Sequence, residues 1–221
     1  MKRQLVIFGA GDIAEVASFY FSHDSDYRVA AFAVDPAYRK DDAFCGLPLV
    51  SFEDVEASFP PSGFDFFVAV SYSKLNATRA QKCREARQKG YRLASYVSSK
   101  ASVWPGLEVG ENCFIPEDNT IQPFVRIGEG VTLWSGNHIG HHSRIGDYCF
   151  ITSHVVVSGG VTVQDGCFIG VNATIRDHVT IGARCVIGAG ALILGDAEPE
   201  GVYAGSASER AKIPSTRLRK M

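Results

Sequence analysis

From Val97 onward an aliphatic residue returns at every sixth position. The series is Val97, Val103, Val109, Ile115, Ile121, Ile127, Leu133, Ile139, Ile145, Ile151, Val157, Val163, Ile169, Ile175, Ile181, Ile187 and Ile193, seventeen positions without a gap. Glycine often follows the aliphatic, as at Gly110, Gly128, Gly140, Gly146, Gly170, Gly182 and Gly188. The fourth residue after it is mostly small, as at Cys113, Ser143, Cys149, Cys167, Ala173 and Cys185. Six is the period of neither an amphipathic helix nor an alternating strand. It suits a short strand plus a corner, so that three units close a triangular coil of eighteen residues. The expected architecture is a parallel β-helix over residues 97–195, with 196–221 a terminal loop and tail. The aliphatics stack inward as ladders, each stabilising by roughly 1.5–3 kcal/mol before entropy is counted. Small residues fill the interior beside the corners, and glycines relax the backbone there.

Residues 1–96 follow a different pattern. Leu5–Phe8, Val29–Val34 and Phe64–Val70 are short apolar runs that predict buried strands. Between them, Ile13, Val16, Ala17 and Tyr20 recur at helical spacing. Ser51–Phe59 predicts a short helix and Lys74–Lys89 a longer one stopped by Gly90. Strands separated by helices imply a parallel sheet, here an α/β unit of half-Rossmann size. Gly9-x-Gly11-x-x-Ala14, which includes Asp12 and Ile13, lies between the first strand and helix, where glycines let a phosphate approach a helix N-terminus. Asp35 ends the next strand, where an acid can bond a ribose hydroxyl. A dinucleotide needs two mononucleotide halves, and about 95 residues supply one. The segment therefore suits a single nucleotide, such as the handle of a sugar nucleotide, or a tight turn that holds no ligand.

Composition narrows the class. Apolar residues make up 46% and charged residues 21%, as in an ordinary globular domain. A net charge of −2 gives no polyanion-binding surface, so nucleic acid is not an expected partner. No apolar run nears the ~20 residues of a membrane span. The apolar run after Met1-Lys2-Arg3 is too short for a signal peptide and soon meets Asp12. The expected location is the cytoplasm. Four of the six cysteines fall at the small inward position, as core filler in a reducing compartment. Cys45 and Cys83 belong to no metal or redox motif.

Four histidines, His138, His141, His142 and His154, crowd the middle of the repeat. Together with the hexads and the half-Rossmann segment, the Ile139-Gly140-His141 stretch resembles the sugar O-acyltransferase family typified by sialic acid O-acetyltransferase. That family includes N-acetyltransferases of bacillosamine and perosamine type. The resemblance implies a left-handed β-helix and homotrimers with active sites between neighbouring subunits. It also implies acetyl-CoA as cosubstrate and a nucleotide-linked sugar held by the N-terminal domain, with no metal. It makes His141 the candidate catalytic base, followed by His142 where relatives often place an orienting acid. Acyl-CoA contacts map to Gly159, Val171, Ala189 and the closing-loop Gly205. Phe150 stands where some relatives carry a second histidine near the acyl carbonyl. Candidate sugar-nucleotide contacts are Gly9, Gly11, Asp12, Ile13, Asp35 and Ser71, with His138 at the acceptor pocket. Ser206-Ala207 replaces the usual proline after the closing loop. The basic tail of Arg210, Lys212, Arg217, Arg219 and Lys220 either meets CoA phosphates or is a frayed end.

The chemistry asked of His141 is modest. A base must take a proton from the incoming amine or hydroxyl, and imidazole, near pKa ~6.5, suits that at neutral pH. Thiolate leaves readily, and direct transfer in a ternary complex needs no covalent intermediate. No carboxylate stacks next to His141, since Pro123 and Gly159 occupy the adjacent coils and Asp177 is two coils away. A weakly assisted base favours an amine, which is nucleophilic once neutral. The alternative is O-acetylation of a sugar hydroxyl. Two other readings belong to different classes. A zinc enzyme like the trimeric β-helical carbonic anhydrases would need a histidine where Ala183 stands. A binding protein would hold the sugar nucleotide without turning it over. His154 and Asn172 are eighteen residues apart, so they are expected to stack on adjacent coils and invite a structural hydrogen bond.

Overall fold

The computed structural model describes residues 2–210 and 215–217, so Lys212, Arg219 and Lys220 of the basic tail lie outside the described residues. The chain begins with β1 (Arg3–Phe8), α1 (Asp12–His23), β2 (Tyr27–Val34), β3 (Ala43–Phe44), β4 (Leu47–Ser51), α2 (Val55–Ser58), β5 (Phe64–Val68) and α3 (Ala77–Gln88). The sheet order is β3-β4-β2-β1-β5, with every pair parallel except β3 and β4. Apolar runs such as Leu5-Val6-Ile7 are buried on both sides because α1 packs on one face and α3 on the other.

Two sequence expectations fail locally. Only Val55–Ser58 of the predicted Ser51–Phe59 helix is helical, and Ser51 ends a strand. That strand belongs to a hairpin whose turn residues, Cys45 and Gly46, both have positive φ, as a type I′ turn requires. Helix α3 starts three residues late because Lys74, Leu75 and Asn76 all sit in the left-handed region.

From Tyr96 the chain winds as two-residue strands on three faces. Face one runs from Tyr96–Val97 to Val202–Tyr203, face two from Ser102–Val103 to Leu192–Ile193, and face three from Glu108–Val109 to Thr180–Ile181. Through Thr174–Ile175 each strand pairs in register with the one eighteen residues on, as Ile121 with Ile139 and Ile151 with Ile169, and in the last coil the spacing shortens, Ile187 pairing with Tyr203. Every hexad aliphatic from Ile115 to Ile193 is buried, and the small residues form the rest of the same core. Val103 is exposed because it lies at the open end of the first coil. Strand pairing continues past Gly195 through Ala197 and Val202–Tyr203.

The glycines that follow the aliphatics serve a different purpose from the expected one. The corner residue with positive φ comes three places after the aliphatic, as at Gly130, His142, Tyr148, His154 and Gly160. Gly110, Gly140 and Gly170 have no positive φ; a Cβ there would lie 2.5–2.6 Å from backbone atoms of the next coil. Close stacking of coils, and not corner relaxation, demands glycine at these places.

Arg79 ties the N-terminal domain to the β-helix. It is 1% exposed and donates to the carbonyls of Gly130, Val70, Ser71, Tyr148 and Cys149 and to Asn76 Oδ1. Burial lowers its pKa to about 10, which still leaves the guanidinium charged at neutral pH. Tyr72 covers Phe150 and Phe168 on face one, with ring centroids 5.2 and 4.8 Å away.

All six cysteines are free thiols, and only Cys45 is exposed. Burial pushes Cys83 and Cys113 up to about 12, so neither presents a thiolate. Titration of the native chain with a thiol reagent is expected to modify one cysteine rapidly, and denaturant to release the other five. Rapid native modification of two or more would contradict the hexad register. No helix among the described residues is long and apolar enough to cross a membrane.

Candidate active site

His141 and His142 stand at the corner between faces two and three. His142 takes the left-handed turn position, φ +61, and His141 precedes it. The backbone N–H of His141 donates to Gln122 Oε1 at 2.8 Å, and its carbonyl accepts from Gly160 N–H at 2.8 Å. Its ring lies over the next coil: a Cβ on Gly159 would sit 2.6 Å from Cε1 and 2.8 Å from Nε2. Glycine at 159 therefore makes room for the imidazole. Both histidines are exposed, and their Nδ1 atoms are 3.1 Å apart.

The other histidines are placed differently. His154 and His178 occupy the same turn position, but their rings fold back over Gly136 and Gly160 of the preceding coil. His154 thus reaches toward Gly136 and not toward Asn172. His138 points outward on face two, half-buried, paired in register with Thr120 and Val156. Asp177 makes no hydrogen bond to His141. Among the described residues no three metal-ligating side chains gather at one point.

The candidate cofactor residues divide. Gly159 shares the corner of His141, whereas Val171 and Ala189 line the corner between faces one and two. The peptide N–H groups of Gly159, Val171 and Ala189 have no partner among the described residues. The corresponding N–H groups of His141 and Ala183 are taken by the side chains of Gln122 and Gln164. Unpaired donors along an edge suit the amide carbonyls of a pantetheine arm. Gly205 abuts the Ala189 carbonyl with no room for a side chain. Phe150 is a correction. It points out of the coil as its register implies, but face one lies under the N-terminal domain. Tyr72, Phe168 and the Arg79 guanidinium enclose it, so in this chain no cofactor reaches the ring.

The second candidate region is a cavity of about 590 Å³ at the C-terminal ends of β1 and β2. Gly9, Asp35, Ser73, Thr78 and Lys82 line it. Gly9 has φ +124, and a Cβ there would lie 2.8 Å from the Ala69 carbonyl oxygen, so only glycine fits. Gly11 faces open space at the start of α1. Asp12 and Ile13 open α1 beyond the cavity lining, and exposed Asp12 puts a negative charge where a phosphate would approach. Ser71 contributes its carbonyl to Arg79. Asp35 is ion-paired with Lys82 at 2.6 Å, and Lys82 also meets Glu85 at 2.7 Å and lies over the Phe8 and Phe52 rings. Burial works to lower the Lys82 pKa, but these two carboxylates outweigh it and the net shift is upward. A fixed cation therefore accompanies Asp35. Lys82, Ser73 and Thr78 are absent from the sequence-based site. Their signal was the i, i+4 pair of Thr78 and Lys82 on one side of α3.

Cavity and histidine lie on opposite sides of the β-helix. The N-terminal domain covers face one and the neighbouring corner, through Tyr72 and Arg79. His141 stands at the edge opposite face one.

The chain matches the bacterial transferase hexapeptide model, six repeats, over residues 124–159 and 160–195. No curated protein matches it in sequence. Among solved structures, it is similar to the acetyltransferase domain of PglB from Neisseria gonorrhoeae FA1090, with TM-score 0.82 and 26% identity over 92% of this chain and 97% of that one. The same domain in complex with acetyl coenzyme A gives TM-score 0.80 and 25% identity, over 93% and 97%. PerB from Caulobacter crescentus, in complex with CoA and GDP-perosamine, gives TM-score 0.79 and 26% identity, over 91% and 94%. Hexad register, matched transferase hexapeptide repeats and an α/β domain followed by a left-handed β-helix make the chain similar over nearly its whole length to the PglB acetyltransferase domain and to PerB, and mark it as an acetyltransferase of that hexapeptide-repeat architecture.

Proposed function

We propose that the chain transfers an acetyl group from acetyl-CoA to an amine on a nucleotide-linked sugar, with His141 as general base. The observation that carries this reading is the setting of His141, whose Nε2 side lies over Gly159 beside an unpaired peptide N–H. The amine nitrogen attacks the thioester carbonyl, and its proton passes to Nε2. The C–S bond then breaks, and CoA leaves as a thiolate that takes up a proton, its conjugate acid having pKa ~8.5. A peptide N–H such as that of Gly159 is a donor suited to the oxyanion. The edge of Val171 and Ala189, closed by Gly205, holds the pantetheine arm. The similar structures from Neisseria gonorrhoeae and Caulobacter crescentus contain acetyl-CoA or CoA, and the latter also contains GDP-perosamine.

The nucleotide handle belongs in the cavity of Gly9, Asp35 and Lys82. That cavity and His141 face apart in one chain, which supports a homotrimer whose active sites use the cavity of one copy and the His141 of another. His138, on the face between His141 and the Val171 edge, then borders the acceptor. Free thiols fit a reducing, cytoplasmic setting.

Ligand-dependent melting tests the binding half of this scheme. Acetyl-CoA and at least one sugar nucleotide should raise the melting temperature, equivalent to about 2.7 kcal/mol at a hundredfold excess over Kd. NAD should not. Stabilisation by NAD together with no response to any sugar nucleotide would overturn the assignment of the N-terminal cavity.

A further inference from the structure

We propose that His142 is a positioning residue that fixes the tautomer of His141, a role that rests on His141 being the general base. The Nδ1 atoms of the two rings lie 3.1 Å apart. Two neutral imidazoles can bond at that distance only with one proton between the two nitrogens. There are two ways to place it. If His142 donates, His141 carries its own proton on Nε2, and that atom can accept nothing. If His141 donates from Nδ1, its Nε2 lone pair is free above Gly159. Only the second arrangement makes a base. When Nε2 takes the proton of the acceptor, the Nδ1–H of the resulting imidazolium still points at the His142 lone pair. The bond becomes charge-assisted as the charge develops, so it favours the transition state over the ground state. The balance is simple: the acceptor nitrogen loses one proton, His141 gains it, and His142 keeps its own on Nε2.

The corner is built to hold this pair. The rings meet edge-on at 85° with centroids 5.2 Å apart, the orientation in which the ring-edge nitrogens can face one another. On its other side His142 rests on Phe124, eighteen residues earlier, at 4.7 Å between centroids. The contrast with the other corner histidines is informative. Under His154 and His178 the preceding coil carries Gly136 and Gly160, and both rings fold down onto the glycine. Under His142 it carries Phe124, which holds the ring up against His141. Phe124 is itself 73% exposed, and one side of it borders a cavity of about 490 Å³ lined also by Trp104, Arg126 and Arg144.

The test uses the full-length protein with labelled histidines. Long-range proton–nitrogen correlation spectra report which ring nitrogen of His141 carries its proton. The wild type should show the Nδ1–H form. His142→Phe removes the acceptor but keeps a ring, and Phe124 shows that phenylalanine tolerates this turn position, with φ +68. In this variant His141 should lose the fixed Nδ1–H form, and kcat should fall at least about tenfold, a part of the ~10²–10⁴ that a placed base contributes, with KM for acetyl-CoA unchanged. His142→Asn restores an oxygen acceptor and suits a left-handed turn; it should recover the Nδ1–H form and most of kcat. A wild-type His141 with its proton on Nε2 would overturn the proposal. So would wild-type kcat in His142→Phe, or His142→Asn behaving no better than His142→Phe. If His141→Asn leaves acetyl transfer intact, the base assignment fails instead, whatever the spectra show.

Discussion

Ile151→Asp is expected to leave no folded protein. Ile151 is fully buried between Leu133 and Ile169 in the ladder of face one. Its strand is closed on the outside by Tyr72 and Phe168 against Phe150, so the carboxylate has no route to water through small movements. Losing the isoleucine costs about 2–5 kcal/mol. An unpaired buried charge adds several more or forces the acid to protonate. Together these match the whole stability of a typical domain, about 5–15 kcal/mol. Soluble expression, far-UV circular dichroism and a melting curve check the outcome. A soluble chain melting like the wild type would mean that residue 151 does not face inward.

His141→Asn is the opposite kind of change, with a large effect on rate and little on structure. The His141 ring is exposed, and its backbone bonds to Gln122 and Gly160 do not depend on it. The fold should therefore persist, with unchanged circular dichroism and oligomer mass. Acetyl transfer followed by thiol release should fall by about 10²–10⁴ in kcat, the usual contribution of a general base. A loss below tenfold would contradict the role given to His141.

Much of this was legible in the sequence, for physical reasons that differ by element. The β-helix announces itself because each coil repeats the same packing problem, so the answer recurs every six residues. The period alone does not single out His141: the resemblance of Ile139-Gly140-His141 to the family's segment does, and the register adds only that its corner stacks on Gly159, eighteen residues ahead. What the period does not contain is anything outside the coil. Phe150 is outward by register, but that the outside is the N-terminal domain depends on Tyr72 and Arg79, far away in sequence. The hairpin of β3 and β4 was missed because a Cys45-Gly46 turn lacks the usual Asn or Asp before glycine. The start of α3 was misplaced because three consecutive left-handed residues carry no glycine to signal them. The glycines after the aliphatics stand out in the sequence but their purpose does not: backbone crowding between coils and positive φ both select glycine, and only the three-dimensional fold separates the two. Residue 142 shows the same limit. By composition it lacks the carboxylate that orients the base in many relatives, yet its left-handed turn and Phe124 bring Nδ1 within 3.1 Å of its neighbour.

The proposed amine acceptor rests on that corner. A neutral imidazole partner stabilises the protonated base less than a carboxylate would, so the site suits a nucleophile that needs little deprotonation before attack. The decisive measurement offers acetyl-CoA with matched nucleotide sugars that differ only in carrying an amine or a hydroxyl at the acceptor carbon, and reads kcat/KM from thiol release. Turnover of the amino sugar well above that of its hydroxy counterpart is the predicted result. Equal or faster acetylation of the hydroxy sugar, or no thiol release with any nucleotide-linked sugar, would contradict it.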